Sequence, residues 1–208
     1  MTTVLVVTGG DPVPPDVALV LPPADLVVAA DSGLDHARAL GLKPDIVVGD
    51  FDSVTAEALE AFDGPVERHP VEKDATDLEL ALRLAVANGP ERIVVVGGHG
   101  GRLDHFLANA LVLTTVPEGI DVEWRAGQAT IHLVRDTIRI DGRPGDNVSL
   151  VPVGGDACGV RTSGLRWRLD GEDLPSGGTR GVSNVFESSE ATVAVASGAL
   201  LVVIPGQE

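Results

Sequence analysis

The hydrophobic rhythm of this chain changes near its middle. In the first half, short runs of apolar, mostly β-branched residues alternate with stretches of helical spacing. Val4–Thr8, Leu26–Ala30, Asp45–Val48 and Arg92–Val96 hold apolar residues in succession, without alternation. That is the mark of strands buried on both faces. Between them the spacing predicts a helix over Leu34–Leu40, stopped by Gly41. A second helix follows Ser53 or Thr55 as N-cap, with Leu59 and Phe62 on its apolar side. Val66–His69 fits a short strand. The clearest helix covers Ala75–Asn88, where Leu78, Ala81, Leu82 and Ala85 recur at helical spacing before Asn88-Gly89-Pro90 ends it. Another runs from Leu103 to about Leu113. Asp11–Pro23 is proline-rich and predicted to be loose. Strands alternating with helices predict a mainly parallel sheet in an α/β domain.

From Ile120 onward no helical spacing remains. Short strands are predicted at Val122–Arg125, Thr130–Val134, Thr137–Ile140, Asn147–Pro152, Gly159–Thr162, Arg166–Leu169, Thr192–Ala196 and Ala199–Ile204. Asp141-Gly142 and Ser197-Gly198 are turn signals. This predicts an all-β antiparallel sandwich domain. The expected division is an α/β domain over 1–118 and a β-sandwich over 119–208, with Glu172–Val182 as the mobile loop.

Composition narrows the function classes. A formal charge of −16 argues against a face that tracks a nucleic-acid backbone, because such binding rests on Lys and Arg. An acidic chain still binds nucleotides where magnesium bridges carboxylate and phosphate. No apolar run approaches the length that spans a bilayer, and the start MTTVLVVTGG reads as a first strand. One cysteine, Cys158, excludes an intramolecular disulfide and a cysteine-based zinc cluster. A cytoplasmic location is expected.

The candidate chemistry lies where buried strands run out. Asp31 ends the second strand, and Asp50 and Asp52 follow the third in PDIVVGDFDS. Asp104 follows the glycine loop after a later strand. In a parallel sheet these ends share one edge, the edge where open α/β sheets take their ligands. A solvated loop with a helix cap at Ser53 explains the PDIVVGDFDS stretch alone equally well. Asp74 and Asp77 open the long helix on one face, where Asp74 or Thr76 also serves as an ordinary cap. Carboxylates at such density imply a cation, and oxygen ligands without a Cys or His set favour magnesium over zinc. Gly97–Arg102, GGHGGR, is neither a GxGxxG fingerprint nor a Walker A loop, yet it lets backbone N–H groups meet a phosphate, with Arg102 adding a fork of donors. His105 and Asn109 follow on one helix face. Lysine occurs only at Lys43 and Lys73, the latter directly before Asp74. Trp167 lies between Arg166 and Arg168 on a predicted strand, as core or as a stacking surface. Trp124 has the same two readings. Ser183-Asn184 offers ligand hydrogen bonds or a simple turn.

Taken together, ADSG at Ala30–Gly33, PDIVVGDFDS at Pro44–Ser53, EKDATDLELAL at Glu72–Leu82, GGHGGRLDHFLAN at Gly97–Asn109, TSGLRWRL at Thr162–Leu169, and Ser183-Asn184 resemble the thiamine pyrophosphokinase family in content and order. The resemblance implies transfer of the pyrophosphoryl group of ATP to the thiamine hydroxyl, and a homodimer with sites at the subunit interface. It implies Asp50, Asp52 and Asp77 at the magnesium site, with Asp104 as a further catalytic carboxylate. It implies nucleotide and phosphate contacts from Asp31, Ser32, Gly33, Lys73, Asp74, Thr76, Gly100, Gly101, Arg102, His105 and Asn109. Trp167, Ser183 and Asn184 are implied for thiamine. Ser32 stands where the family usually has glycine. The competing readings are a pyrophosphokinase for another hydroxymethyl heterocycle, such as a pterin, and a non-catalytic sensor of thiamine diphosphate or nucleotide. TSGLRWRL favours thiamine over the first, and the clustered acids argue against the second.

Overall fold

A computed structural model describes residues 1–72 and 74–206, so the expectation for Lys73 lies outside the described residues. The chain divides into two compact units, Met1–Gln128 and Ala129–Glu208.

The first unit contains β1 (Thr3–Val7), β2 (Leu26–Ala30), α1 (Gly33–Ala39), β3 (Ile46–Gly49), α2 (Ala56–Glu60), β4 (Val66–Arg68), α3 (Asp77–Ala87), β5 (Arg92–Val96), α4 (Leu103–Val112) and β6 (Asp121–Ala126). Its strands run in the order β6-β5-β1-β2-β3-β4. Each neighbouring pair is parallel. All five residues of β1 are buried, while β4, at the edge, is exposed throughout. The apolar runs of β1 and β5 therefore reflect burial on both faces. One core packs Leu5, Val7, Val94 and Val96 with Ala37 and Val17. Val17 belongs to a 3-10 turn over Pro15–Leu19, so the proline-rich segment is more ordered than its composition predicts. A second core joins Ala29, Leu34, Val47 and Ala58.

Thr76 caps α3, its Oγ1 accepting from the Glu79 N–H at 3.2 Å, so the helix opens at Asp77 rather than Ala75. Thr55, not Ser53, caps α2 in the same way. The boundary expected after Glu118 precedes β6. β6 pairs in parallel with β5 and completes the first sheet, which moves Val122–Arg125 out of the β-rich half. The charged β6 residue Glu123 is buried because Arg92 and Arg125 both hold its carboxylate.

The second unit contains β7 (Ala129–Val134), β8 (Thr137–Asp141), β9 (Asn147–Pro152), β10 (Ala157–Ser163), β11 (Asp170–Leu174), β12 (Asn184–Val185), β13 (Glu190–Ala194) and β14 (Leu200–Ile204). Two antiparallel layers, β12-β9-β14-β7 and β11-β10-β13-β8, enclose a core that includes Ile140, Leu150, Leu165, Phe186 and Val193. This is the expected sandwich. Arg166–Leu169 is not a strand, however; it forms the turn between β10 and β11, where only Leu165 makes a bridge, to Phe186. Glu172–Leu174, expected in the mobile loop, belongs to β11.

Candidate active site

In the first unit the strand order reverses between β1 and β5, the switch point at which an open parallel sheet leaves a crevice above its C-terminal strand ends. A cleft of ≈ 570 Å³ lies there. It is lined from β1 by Thr8, Gly9 and Gly10, from β2 by Asp31 and Ser32, and from β3 by Asp50, Asp52 and Ser53. Beyond β5 come Gly98, Gly100, Arg102, His105 and Asn109, and α3 presents Thr76 and Asp77.

The floor depends on Gly49. Its φ is 150°, and a Cβ there would lie 3.1 Å from Asp77 Oδ1 and 3.2 Å from Asp31 Cβ. Only a residue without a side chain lets the ends of β2 and β3 and the start of α3 meet this closely. Asp31 and Phe51 both adopt left-handed backbone, at φ 46° and 65°. Such conformations cost about 1–3 kcal/mol and persist where the surroundings enforce them. At Phe51 the turn sends Asp50 and Asp52 to the same side. The Asp52 N–H donates to Asp50 Oδ1 at 3.2 Å, and the Ser53 hydroxyl donates to Asp52 Oδ1 at 2.7 Å.

One carboxylate oxygen from each of Asp31, Asp50 and Asp52 lies within 4.8 Å of the other two. Asp31 is 6% exposed, and its Oδ1 is buried without a hydrogen-bond partner among the described residues. Three acids this close, one with a stranded buried oxygen, fit a hard divalent cation held by oxygen. Asp31 thus joins Asp50 and Asp52, while Asp77 lines the cleft beside them.

The opposite wall is the glycine loop. Gly97, Gly98, Gly100 and Gly101 all have left-handed φ, between 57° and 95°. The loop is tied to β1 by the Gly98 N–H to Gly9 O at 2.6 Å and the Asp11 N–H to His99 O at 2.7 Å. Buried Asn109 donates to Gly98 O at 3.1 Å, and buried Trp124 donates through Nε1 to Gly97 O at 2.7 Å. Trp124 is therefore a core prop for this loop, packed at 5.4 Å against Phe106. Burial lowers the His99 pKa, a shift opposed by Asp11 and reinforced by His36.

Some expected residues stand outside. Asp104, Asp74, Gly33 and Gly101 do not line the cleft. Asp104 faces Arg102, whose Nη2 is 2.6 Å away, in an exposed pair. That guanidinium pulls the Asp104 carboxyl down to about 2. Gly33 serves by closeness, since a Cβ there would collide with the Val7 carbonyl and keep α1 off β1. Ser32 fills the space beside Gly9, where a Cβ would meet its Oγ. Thr8, Gly9, Gly10 and Val71 also line the cleft, beyond the residues expected from sequence. The glycine pair directly after the first buried strand was the available signal.

In the second unit Trp167 is 48% exposed and Arg166 and Arg168 beside it are also exposed, so all three face solvent instead of alternating. Buried Asn184 fixes this turn: its Oδ1 accepts from the Trp167 N–H at 3.0 Å and its Nδ2 donates to Trp167 O at 2.8 Å. Ser183, at φ 59°, is exposed and donates its N–H to Ser149 Oγ at 3.0 Å.

Two family profiles match this chain: "Thiamin pyrophosphokinase, catalytic domain" over residues 17–123, and "Thiamin pyrophosphokinase, vitamin B1 binding domain" over residues 135–200. Thiamine pyrophosphokinase 1 of Oryza sativa subsp. japonica is 31% identical over 169 residues, 74% of this chain and 63% of the rice protein. Thiamine pyrophosphokinase of Bacillus subtilis is 29% identical over 211 residues, 98% of both chains. The crystal structure of a Bacillus subtilis thiamine pyrophosphokinase superposes with a TM-score of 0.86 at 26% identity, covering 100% of each chain.

Proposed function

We propose the following for a chain that belongs to the thiamine pyrophosphokinase family: it moves the β,γ-pyrophosphoryl group of ATP to the hydroxyl of thiamine, giving thiamine diphosphate and AMP. One observation carries the reading beyond family membership. Asp31, Asp50 and Asp52 converge within 4.8 Å at the floor of a cleft whose far wall is a left-handed glycine loop. Asp31, Asp50 and Asp52 would hold Mg2+, where Asp50, Asp52 and Asp77 were expected, which leaves Asp77 beside the ion. When bound, the ion offsets the charge of the triphosphate and polarises its phosphoryl oxygens.

The chain's own groups do the positioning. The glycine loop, the start of α3 and Arg102 hold the phosphates in one register, so that the hydroxyl meets the β-phosphorus. A bond forms from the thiamine oxygen to that phosphorus, and the bond to the AMP oxygen breaks with its electron pair leaving on AMP. The hydroxyl proton passes to a carboxylate. Of the two expected for this role, Asp77 lines the cleft, whereas Asp104, held at about 2, is a weak base that orients Arg102. Trp167 stacks on the pyrimidine, and Asn184 serves by fixing the Trp167 backbone.

The protein acts as a homodimer with its sites at the interface, in the cytoplasm. Leu103, Leu107 and Leu111, four residues apart on α4, are 71%, 56% and 59% exposed and offer a second copy an apolar stripe. Among the described residues no helix is long and apolar enough to cross a membrane.

Protein supplied with Mg2+, ATP and thiamine should release AMP in step with thiamine diphosphate, read by chromatography of both products. Release of ADP would mean transfer of a single phosphoryl group and end this assignment.

A further inference from the structure

Asp35 is an acid that stands close to the three clustered carboxylates in sequence and is not one of them. It lies in the first turn of α1, and both of its oxygens are taken. Its Oδ2 accepts from the Thr55 N–H at 3.0 Å and its Oδ1 from the Thr55 hydroxyl at 2.5 Å. Thr55 follows the turn that carries Asp50 and Asp52, and its Oγ1 also accepts from the Ala58 N–H at 3.2 Å. The side chain that caps α2 is thus the one Asp35 holds. The two ends of this clamp are fixed differently. The start of α1 is seated, because a Cβ on Gly33 would collide with the Val7 carbonyl, and the Leu34 N–H donates to Asp31 O at 3.0 Å. The turn after β3 is strained, with Phe51 at φ 65°, and Asp52, Ser53 and Thr55 are exposed. Strained backbone keeps one shape only where its surroundings impose it.

We propose that Asp35 is a positioning residue for the cation site: its two-point hold on Thr55 ties the β3 turn to the start of α1, and so keeps Asp50 and Asp52 gathered against Asp31. This rests on the reading that Asp31, Asp50 and Asp52 hold a divalent cation. Three like charges within 4.8 Å push one another apart until the ion arrives. A turn free to swing relieves that repulsion by moving away, and the ion must then draw it back. The clamp keeps the ligands together in advance, so its loss falls on metal affinity. The charge of Asp35 is not needed for this. An asparagine there offers its oxygen to the Thr55 N–H and an N–H to the Thr55 hydroxyl oxygen, making both bonds with one direction reversed.

Manganese is the probe, because Mn2+ takes the same oxygen ligands and its free form is counted by electron paramagnetic resonance. The full-length protein is titrated with Mn2+ in the absence of nucleotide. Wild type should bind the ion, and Asp52→Asn should weaken that binding. Asp35→Ala should weaken it about tenfold, the low end for a group that orients metal ligands from outside, whereas Asp35→Asn should bind as wild type does. Asp35→Ala leaves the Thr55 cap on α2 in place, and an unchanged far-ultraviolet spectrum will confirm the fold. Thr55→Val should weaken Mn2+ as Asp35→Ala does, and the two together should lose no more than one alone. Mn2+ binding absent from wild type, or untouched by Asp52→Asn, ends the cation reading and takes the inference with it. Where both of those results hold, wild-type affinity in Asp35→Ala overturns the clamp. Equal losses in Asp35→Asn and Asp35→Ala overturn it too, by assigning the effect to charge.

Discussion

Asp52 stands on an exposed turn, holds the Ser53 hydroxyl, and faces two other carboxylates across less than 5 Å. None of these contacts supports the core. Asp52→Asn keeps the shape and removes one charge from the cation site. It should lower kcat by about 100-fold or more, while the melting temperature stays within about 2 °C. Steady-state kinetics beside thermal unfolding separates the two effects; unchanged turnover would remove Asp52 from the site. The acids were legible in the sequence because each follows a buried apolar run, and a run's end is where a parallel sheet presents its ligands. Asp104 reads differently in the structure for a local reason. Arg102, two residues earlier, reaches it at 2.6 Å, and no spacing rule distinguishes a carboxylate facing a cleft from one turned back on its neighbour.

At the scale of elements, the turn after β3 is braced from the sheet edge. Arg68, on β4, sits 4.6 Å over the Phe51 ring, and its Nη1 donates to Asp50 O at 3.3 Å. Such a contact is worth about 1 kcal/mol at an exposed site. Arg68→Ala should raise the Mg2+ concentration for half-maximal rate about fivefold, and Arg68→Lys should restore part of it. Equal Mg2+ dependence in all three proteins would leave Arg68 without a positioning role. The glycine loop carries a pH signature. Burial lowers the His99 pKa in the fold below its ordinary value, so the unfolded chain takes up the proton first. His99 therefore costs no stability above pH about 6.5 and costs progressively more as pH falls below it. His99→Gln should flatten the fall in melting temperature between pH 7 and pH 5; an unchanged slope would contradict the lowered His99 pKa. The strands and helices themselves were readable from periodicity, with two instructive exceptions. β6 looked like the first strand of the second half because Glu123 and Arg125 interrupt its apolar run. Its burial is made possible by ion pairs with Arg125 on the same strand and with Arg92 on β5, the second of which lies outside any local window. Arg166–Leu169 alternates charged and apolar residues as a half-buried strand does, yet Asn184, a distant residue in sequence, holds it as an exposed turn.

On the scale of the whole molecule, the proposed homodimer rests on the exposed leucines of α4. Leu107→Glu places a charge in the middle of the stripe. It should shift the protein from dimer to monomer in sedimentation equilibrium and leave each unit folded, since the side chain is already 56% exposed. A dimer that survives the change at micromolar concentration would move the interface elsewhere. The overall charge bears on the substrate as well. A chain at −16 that gathers three carboxylates at the floor of its cleft meets uncomplexed ATP, a polyanion, as a like charge. Bare nucleotide is turned away by the same groups that welcome nucleotide arriving with its cation. With magnesium as the proposed ion, the velocity should track metal-complexed ATP rather than total ATP, so thiamine activation should slow when free magnesium runs short even with ample adenylate.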